Sequence, residues 1–240
     1  MTEKRTAPSA RLLGPKSVGA TRTTAAARPS DKRSSFTDAD HLRTPKSSSP
    51  ILRRSRSFDA LVIQLSIDPD VRSIRYVDSL PAMGRRVKVE MLVAERDGQR
   101  FAYDLVHERQ TRDLDSEGLL LLALEANNIH LVEVDQEWIN EEPRAANCLM
   151  IWKNRSHPVD DSTRAAIVRA LGKQGPVAIR KLGEIAGVSY PLKSVCALIW
   201  NGIVAVDLSD QLDLDAEVTV ARSIDRRPAN SAPQPSNGGP

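Results

Sequence analysis

The chain has 240 residues, 40% of them hydrophobic and 27% charged, which is enough for one domain of ordinary size or two small ones. No stretch approaches the roughly 18 consecutive apolar residues of a membrane span, and the N-terminal segment has no signal-peptide apolar core. We therefore expect a cytoplasmic protein with no membrane partner. Cys148 and Cys196 lie far apart in apolar contexts. This placement predicts reduced core residues rather than a disulfide or a zinc site.

The charge is distributed unequally along the chain. Residues 1–56 hold 13 Lys and Arg against 4 Asp and Glu, a net charge of +9, whereas residues 57–240 hold 21 against 27, a net charge of −6. Residues 1–52 are rich in Ser, Thr, Ala and Pro without apolar periodicity, which predicts a disordered basic arm. Such an arm can follow nucleic-acid phosphates, although a solubilising extension fits the composition equally well. Residues 223–240 are predicted to be a second disordered tail.

The first ordered block, residues 53–155, predicts helices and strands in a mixed order. Apolar spacing and turn residues predict helices over 57–67, from Ser116 to 127, and over 145–153, and strands over 71–77, 86–95, 100–106 and 129–134. Arg96–Gln99 is predicted to be a hairpin turn. The order α-β-β-β-α-β predicts a small mixed sheet flanked by helices.

The second block, residues 156–222, predicts short helices followed by strands. The helices are expected over 160–172, 177–186 and 192–201, with Pro191 opening the third. Alternating residues over 203–208 and 217–221 predict a β-hairpin. Three helices and a hairpin are the elements of a small winged-helix domain.

Several motifs of the first block occur in an order and spacing similar to those of one protein family. They are Phe58-Asp59 on the opening helix, the Asp-Pro-Asp-Val segment at 68–71, Gly84-Arg85-Arg86 before a strand and Asp97-Gly98 in the next hairpin. With the second block, they make residues 53–221 resemble the TnsA-type heteromeric transposase endonucleases of the PD-(D/E)xK superfamily. The resemblance implies a restriction-endonuclease-like fold and strand cleavage in double-stranded DNA at a transposon end. It also implies Mg²⁺ or Mn²⁺ as cofactor and an integrase-type transposase subunit as partner.

The resemblance implies a catalytic site of three carboxylates and a lysine. Converging carboxylates hold metal ions that activate water, and the lysine orients the water. The matching metal ligands are Asp59, Glu90 and Asp104, with Lys88 as the basic group at hand. Each position departs from the family pattern. On the first helix, Asp59 stands where the family has Glu. On the middle strand, Val89-Glu90 stands where the family has Pro-Asp, and on the next strand Asp104-Leu105-Val106 stands where it has Glu-x-Lys.

Three interpretations of the first block follow from these departures. The block is an active nuclease with altered carboxylates, a pseudoenzyme that keeps the nuclease fold for DNA or partner binding, or an unrelated fold with surface carboxylates. The pseudoenzyme interpretation is favoured because the lysine of the family motif is missing and changed carboxylate lengths displace the reacting oxygens. His107, which follows the last strand, is expected to be a surface residue.

Candidate DNA contacts lie in both blocks. They are Arg85 and Arg86 in the first block and Arg180, Lys181 and Lys193 in the second. Residues 156–221 hold 6 Lys and Arg against 8 Asp and Glu, and an acidic run begins at Asp207, so DNA binding and protein binding remain alternatives for the winged helix. A non-enzymatic DNA-binding or transposase-binding adaptor is therefore the alternative function. No small-molecule substrate is expected, because no phosphate-binding Gly-rich loop or nucleophile motif occurs.

Overall fold

The computed structural model describes residues 40–221, so residues 1–39 of the predicted arm and the predicted tail over 223–240 lie outside the described residues. The predicted first helix is present as α1, Arg56–Ile67. Ser55 caps its N-terminus, because the Ser55 hydroxyl accepts a hydrogen bond from the Phe58 N–H at 3.0 Å. Leu61 and Leu65 lie on the buried side of α1 and pack in the core between this helix and the sheet.

A four-stranded mixed sheet forms the centre of the first block. Its strands lie in the order β3-β4-β5-β6, and they span Val71–Ala82, Arg85–Arg96, Gln99–Leu105 and Ile129–Val134. The first three strands pair antiparallel through tight hairpins. Strand β6 is parallel to β5, because helix α2 (Leu114–Ala126) carries the chain back along the sheet between them. The predicted α/β class, with a mixed sheet flanked by helices, is confirmed.

The two faces of the sheet belong to different cores. Leu92 and Tyr103 pack in the core that contains α1. Val93 and Ala102 pack in the core that contains Leu120 of α2. Successive strand residues point to opposite faces, so neighbouring side chains of β4 and β5 serve the two helices in turn.

Strand β4 has a bulge at Glu90. The register with β3 shifts there, so Val89 and Glu90 together stand opposite Asp78. Glu90 adopts φ +53°. The pairing of β4 with β5 ends at Leu92 and Tyr103, and beyond this pair the two strands separate. A cleft therefore lies between the first half of β4 and the end of β5.

Three helices and a small sheet form the second block. The helices are α5 (Asp161–Gln174), α6 (Ile179–Ala186) and α7 (Pro191–Trp200). The strands are β7 (Val177–Ala178), β8 (Val204–Val206) and β9 (Glu217–Val220), in the sheet order β7-β9-β8. Asp160 caps α5 by accepting a hydrogen bond from the Thr163 N–H at 2.7 Å.

Helix α4 joins the two blocks. It spans Arg144–Asn154 and follows the short helix α3, Gln136–Ile139. Trp152 of α4 packs against the cores of both blocks, and its ring lies edge to face with that of Trp200, with ring centroids 5.0 Å apart. Ile63 of α1 lies in the same core as α7. The predicted boundary near residue 155 therefore falls between blocks that share a core.

Helices α6 and α7 approach each other closely at Gly183. A Cβ at this position would lie 2.7 Å from the Pro191 Cβ, which is too short for two carbon atoms, so the approach requires glycine. Every residue of α7 from Ser194 to Trp200 is buried. Within residues 40–221, no single helix has the length and apolar character to cross a membrane, and α6 with α7 meets that test only as a pair bent by 102°.

Three local expectations are corrected by the structure. Residues 40–52, assigned from the sequence to the disordered arm, contain the paired strands β1 (His41–Leu42) and β2 (Ile51–Leu52), because Leu42 and Ile51 are buried in the first core. Helix α2 is capped by Asp113 rather than Ser116, since the Asp113 carboxylate accepts a hydrogen bond from the Ser116 N–H. Residues 177–178 form β7 instead of the start of α6, because they pair with β9.

The two cysteines lie in the interior, as predicted. Cys148 and Cys196 are free and buried. Burial raises the pKa of each thiol to about 12, so both thiols stay protonated near neutral pH.

Candidate functional site

The cleft where β4 and β5 separate brings together three of the four predicted catalytic residues. It has a volume of about 410 Å³, and Lys88, Glu90 and Asp104 line it. Among the residues that the structure describes, Asp59 does not line the cleft, although its helix neighbour Phe58 does. The sheet therefore gathers the two strand carboxylates and the lysine, while the helix carboxylate has a different environment.

Asp104 is held by two arginines at the end of β5. Its residue is only 5% exposed. The Oδ2 atom accepts hydrogen bonds from Arg109 Nη1 at 3.3 Å and from Arg112 Nη1 at 3.4 Å. Charge-assisted bonds of this kind compensate the cost of burying a carboxylate. Two guanidinium groups therefore occupy the position beside Asp104 where the family resemblance implies a metal ion.

Both arginines are themselves fixed by further carboxylates. Arg109 Nη1 donates to Glu133 at 2.7 Å, and Arg112 Nη1 donates to Glu117 at 3.3 Å. The hydrogen bonds to Glu133 and then Asp104 raise the pKa of the Arg109 guanidinium. The segment between β5 and α2 is thus anchored over Asp104 by ion pairs to β6 and to α2.

Glu90 pairs with the lysine that was expected to assist catalysis. Lys88 Nζ lies 2.8 Å from Glu90 Oε2, and both side chains are exposed at the cleft. The two residues lie on either side of Val89, next to the bulge of β4. The charge of Lys88 is therefore engaged with Glu90 across the bulge.

Asp59 forms a separate ion pair at the start of α1. Arg53 donates to Asp59 Oδ2 from Nε at 2.7 Å, and its Nη2 lies 2.6 Å from the same oxygen. The second oxygen, Oδ1, is buried and accepts no hydrogen bond from the described residues. Asp59 is thus held by an arginine of the preceding loop.

The three carboxylates do not fit the shared magnesium or manganese site that the resemblance implies. Asp59, Glu90 and Asp104 are each paired with a cationic side chain. Within residues 40–221, no three His, Cys, Asp or Glu side chains are grouped closely enough to hold one ion. A divalent cation next to Asp104 would also be repelled by both guanidinium groups.

Sequence reasoning missed the arginines of the cleft. Arg54, Arg109 and Arg112 all line it. The guanidinium carbon of Arg54 lies 4.2 Å from the centroid of the Tyr76 ring, and burial raises the pKa of Tyr76 to about 12. A signal was present in the sequence, because residues 107–113 must pass Asp104 on the way from β5 to α2 and carry two arginines three residues apart.

The predicted DNA contacts of the first block lie at the tip of the β3–β4 hairpin. Arg85 and Arg86 are the first two residues of β4, and both are exposed. Arg86 Nε donates to Ser79 Oγ of β3 at 2.9 Å. The hairpin therefore presents adjacent arginines at one end of the sheet. His107 is exposed just after the end of β5, with Nε2 3.0 Å from Ser57 Oγ.

The predicted DNA contacts of the second block are less available. Arg180 is exposed, but it forms a two-pronged pair with Asp215, from Nε at 3.2 Å and Nη2 at 3.1 Å. Lys193 Nζ lies 4.9 Å from the centroid of the Tyr190 ring. Lys181 is exposed on α6. Asp215 of the β8–β9 loop thus competes with phosphate for Arg180, whereas Lys181 and Lys193 are exposed.

Comparison with known proteins gives no assignment. No family model and no curated protein matches the sequence.

Proposed function

We propose that this chain is a TnsA-like subunit of a DNA transposition or DNA-processing complex that binds double-stranded DNA without cutting it. The observation that carries the proposal is the pairing of buried Asp104 with Arg109 and Arg112. In a nuclease, this carboxylate would have to be open to a metal ion. Here its charge is already neutralised by two side chains that cannot lose their protons at physiological pH.

The order of elements supports a nuclease-like ancestry. Helix α1, the meander β3-β4-β5, helix α2 and the parallel strand β6 follow the α-β-β-β-α-β order expected from the sequence. The cleft lies where the resemblance puts the catalytic site, between the middle strand and the strand after the hairpin. A nuclease-like cleft whose carboxylates are paired with lysine and arginine side chains is suited to binding and positioning rather than hydrolysis.

The β3–β4 hairpin supports DNA binding. Residues 71–96 hold 6 Lys and Arg against 3 Asp and Glu, a net charge of +3, whereas residues 156–221 hold 6 against 8, a net charge of −2. A basic ribbon gains affinity for DNA by releasing the counterions of the phosphates. We therefore place the DNA contact of the described residues on the hairpin, around Arg85 and Arg86.

The second block supports a different role. The order α5-β7-α6-α7-β8-β9 with the sheet order β7-β9-β8 is compatible with the proposed winged helix. Its third helix, which would enter the major groove, is buried from Ser194 to Trp200, and Arg180 is tied to Asp215 of the wing. These features favour a winged helix that contacts a protein partner, such as an integrase-type transposase subunit.

The proposal is tested by measuring the salt dependence of DNA retardation. The wild-type protein is expected to retard duplex DNA, with an affinity that falls as salt concentration rises. Removing both hairpin arginines, with Arg85→Ala and Arg86→Ala together, is expected to reduce the slope of log affinity against log salt by about two.

A charge-matched variant serves as the control. Arg169→Ala with Lys173→Ala removes two exposed cations from α5 and leaves the hairpin intact. A smaller change in this control than in the hairpin variant supports a site on the hairpin. Equal changes would contradict that site, and failure of the wild-type protein to retard DNA would leave only the non-enzymatic, partner-binding adaptor.

A further inference from the structure

The β3–β4 hairpin ends in an exposed methionine with an unfavourable backbone conformation. Met83 is 74% exposed. It adopts φ +50°, and the following Gly84 adopts φ +72°. Left-handed backbone is costly for a residue with a Cβ, and an exposed methionine gains nothing from burial. Local backbone preference therefore does not account for a methionine at this position, and strained backbone of this kind is commonly found at functional sites.

The neighbouring hairpin uses the same turn with ordinary residues. Asp97 and Gly98 join β4 to β5 with φ +51° and +77°. Asp-Gly and Asn-Gly are the preferred pairs for a two-residue turn of this kind, because short polar side chains tolerate the left-handed region. Met83 thus occupies a position where local structure favours asparagine or aspartate.

Met83 lies at the tip of the β3–β4 hairpin, which packs against the rest of the first block. Leu80 and Val87 of this hairpin are buried in the core that contains α2. The Asn127 amide donates to the Pro81 carbonyl at 2.9 Å. The two arginines Arg85 and Arg86 follow the turn directly and are exposed. The tip of this packed hairpin therefore presents the exposed apolar side chain of Met83, which Arg85 and Arg86 follow in the chain.

We propose that Met83 inserts as an apolar wedge between two base pairs of bound duplex DNA, while Arg85 and Arg86 contact the flanking phosphates. Proteins that kink DNA insert methionine and similar side chains at a base step and hold the bent backbone with basic residues. The adjacent arginines favour DNA over an apolar protein pocket, since they would have to be desolvated in such a pocket. This inference rests on the proposed DNA-binding function.

The test uses a short duplex that contains one TA step, the type of step that unstacks most easily. A 2-aminopurine beside the step reports unstacking by increased fluorescence, and dyes at the two ends report bending by energy transfer. Wild-type protein is expected to increase both signals. Met83→Asn is expected to abolish both and to weaken binding about tenfold, because the buried apolar contact is lost.

Two further measurements make the outcome decisive. Met83→Asn suits the left-handed turn, so its midpoint of thermal unfolding is expected to equal or exceed that of the wild type. Asp97→Asn places asparagine at the matching position of the β4–β5 hairpin, removes no apolar side chain, and is expected to bend DNA as the wild type does. Retardation without unstacking or bending, or full signals from Met83→Asn, would overturn the wedge and leave DNA binding intact. Absence of any retardation by the wild type would instead overturn the proposed function.

Discussion

Replacing Asp104 with asparagine is expected to lower the free energy of unfolding by about 2 kcal/mol, after allowance for the partial exposure of both arginines. The change keeps the size of the side chain and removes its charge. Arg109 and Arg112 would then lose the carboxylate that they contact at 3.3 and 3.4 Å, and would keep Glu133 and Glu117 as partners. Chemical denaturation of the purified variant and wild type measures this difference.

Whether Asp104→Asn lowers or raises the free energy of unfolding shows whether Asp104 is an arginine-paired carboxylate or a metal ligand. Carboxylates that share a metal site repel one another when no ion is bound, so neutralising one of them stabilises the protein. Neutralising a carboxylate that is paired with arginines instead destabilises the protein. A gain in stability for Asp104→Asn, measured in chelator, would therefore contradict the account of the cleft.

Glu90→Gln is the matched control for this experiment. Glu90 lines the same cleft, but its pair with Lys88 is exposed on both sides. Exposed ion pairs contribute little to stability, so we expect a change below about 0.5 kcal/mol.

Replacing Asn147 with leucine is expected to lower the free energy of unfolding by about 3 kcal/mol. Asn147 is 2% exposed on α4. Its amide donates to the Leu208 carbonyl at 3.1 Å and to the Asp210 carbonyl at 2.7 Å, and its Oδ1 accepts from the Leu212 N–H at 2.9 Å. Leucine has a similar size but would leave the Leu212 N–H, which is buried, and the two carbonyls of the β8–β9 loop without their Asn147 partner.

The measurement is equilibrium unfolding, with Asn154→Leu as the control on the same helix. Asn154 makes a single hydrogen bond, to the Met150 carbonyl one turn earlier at 2.9 Å, and is less buried. We expect this control to cost less than about 1 kcal/mol. A similar loss for both variants would show that the three bonds of Asn147 do not tie α4 to the β8–β9 loop.

Much of the fold follows from local patterns in the sequence. The apolar spacing of α1, the Asp97-Gly98 turn and the six residues of β6 each predicted the observed element closely. Pro191 predicted the start of α7 because proline fits the first turn of a helix. These signals are local, so they are visible without knowledge of the tertiary structure.

The remaining features depend on contacts between distant segments. Residues 40–52 look like a polar tail, yet Leu42 and Ile51 are buried by the first core. The three carboxylates were expected to share an ion, but Asp59 and Asp104 pair with arginines of neighbouring loops, and Glu90 pairs with Lys88 of its own strand. The bulge at Glu90 likewise depends on the register of β3 with β4. Pairing and register of this kind are decided by tertiary packing.

The central claim is that this chain binds DNA without hydrolysing it. A supercoiled-plasmid nicking assay in Mg²⁺ and in Mn²⁺, with retardation recorded on the same samples, tests it most directly. The account predicts retardation by the wild-type protein and no nicking with either ion. Metal-dependent nicking by the wild type that disappears in a folded Asp104→Asn variant would contradict it, and would assign Asp104 to an active metal site.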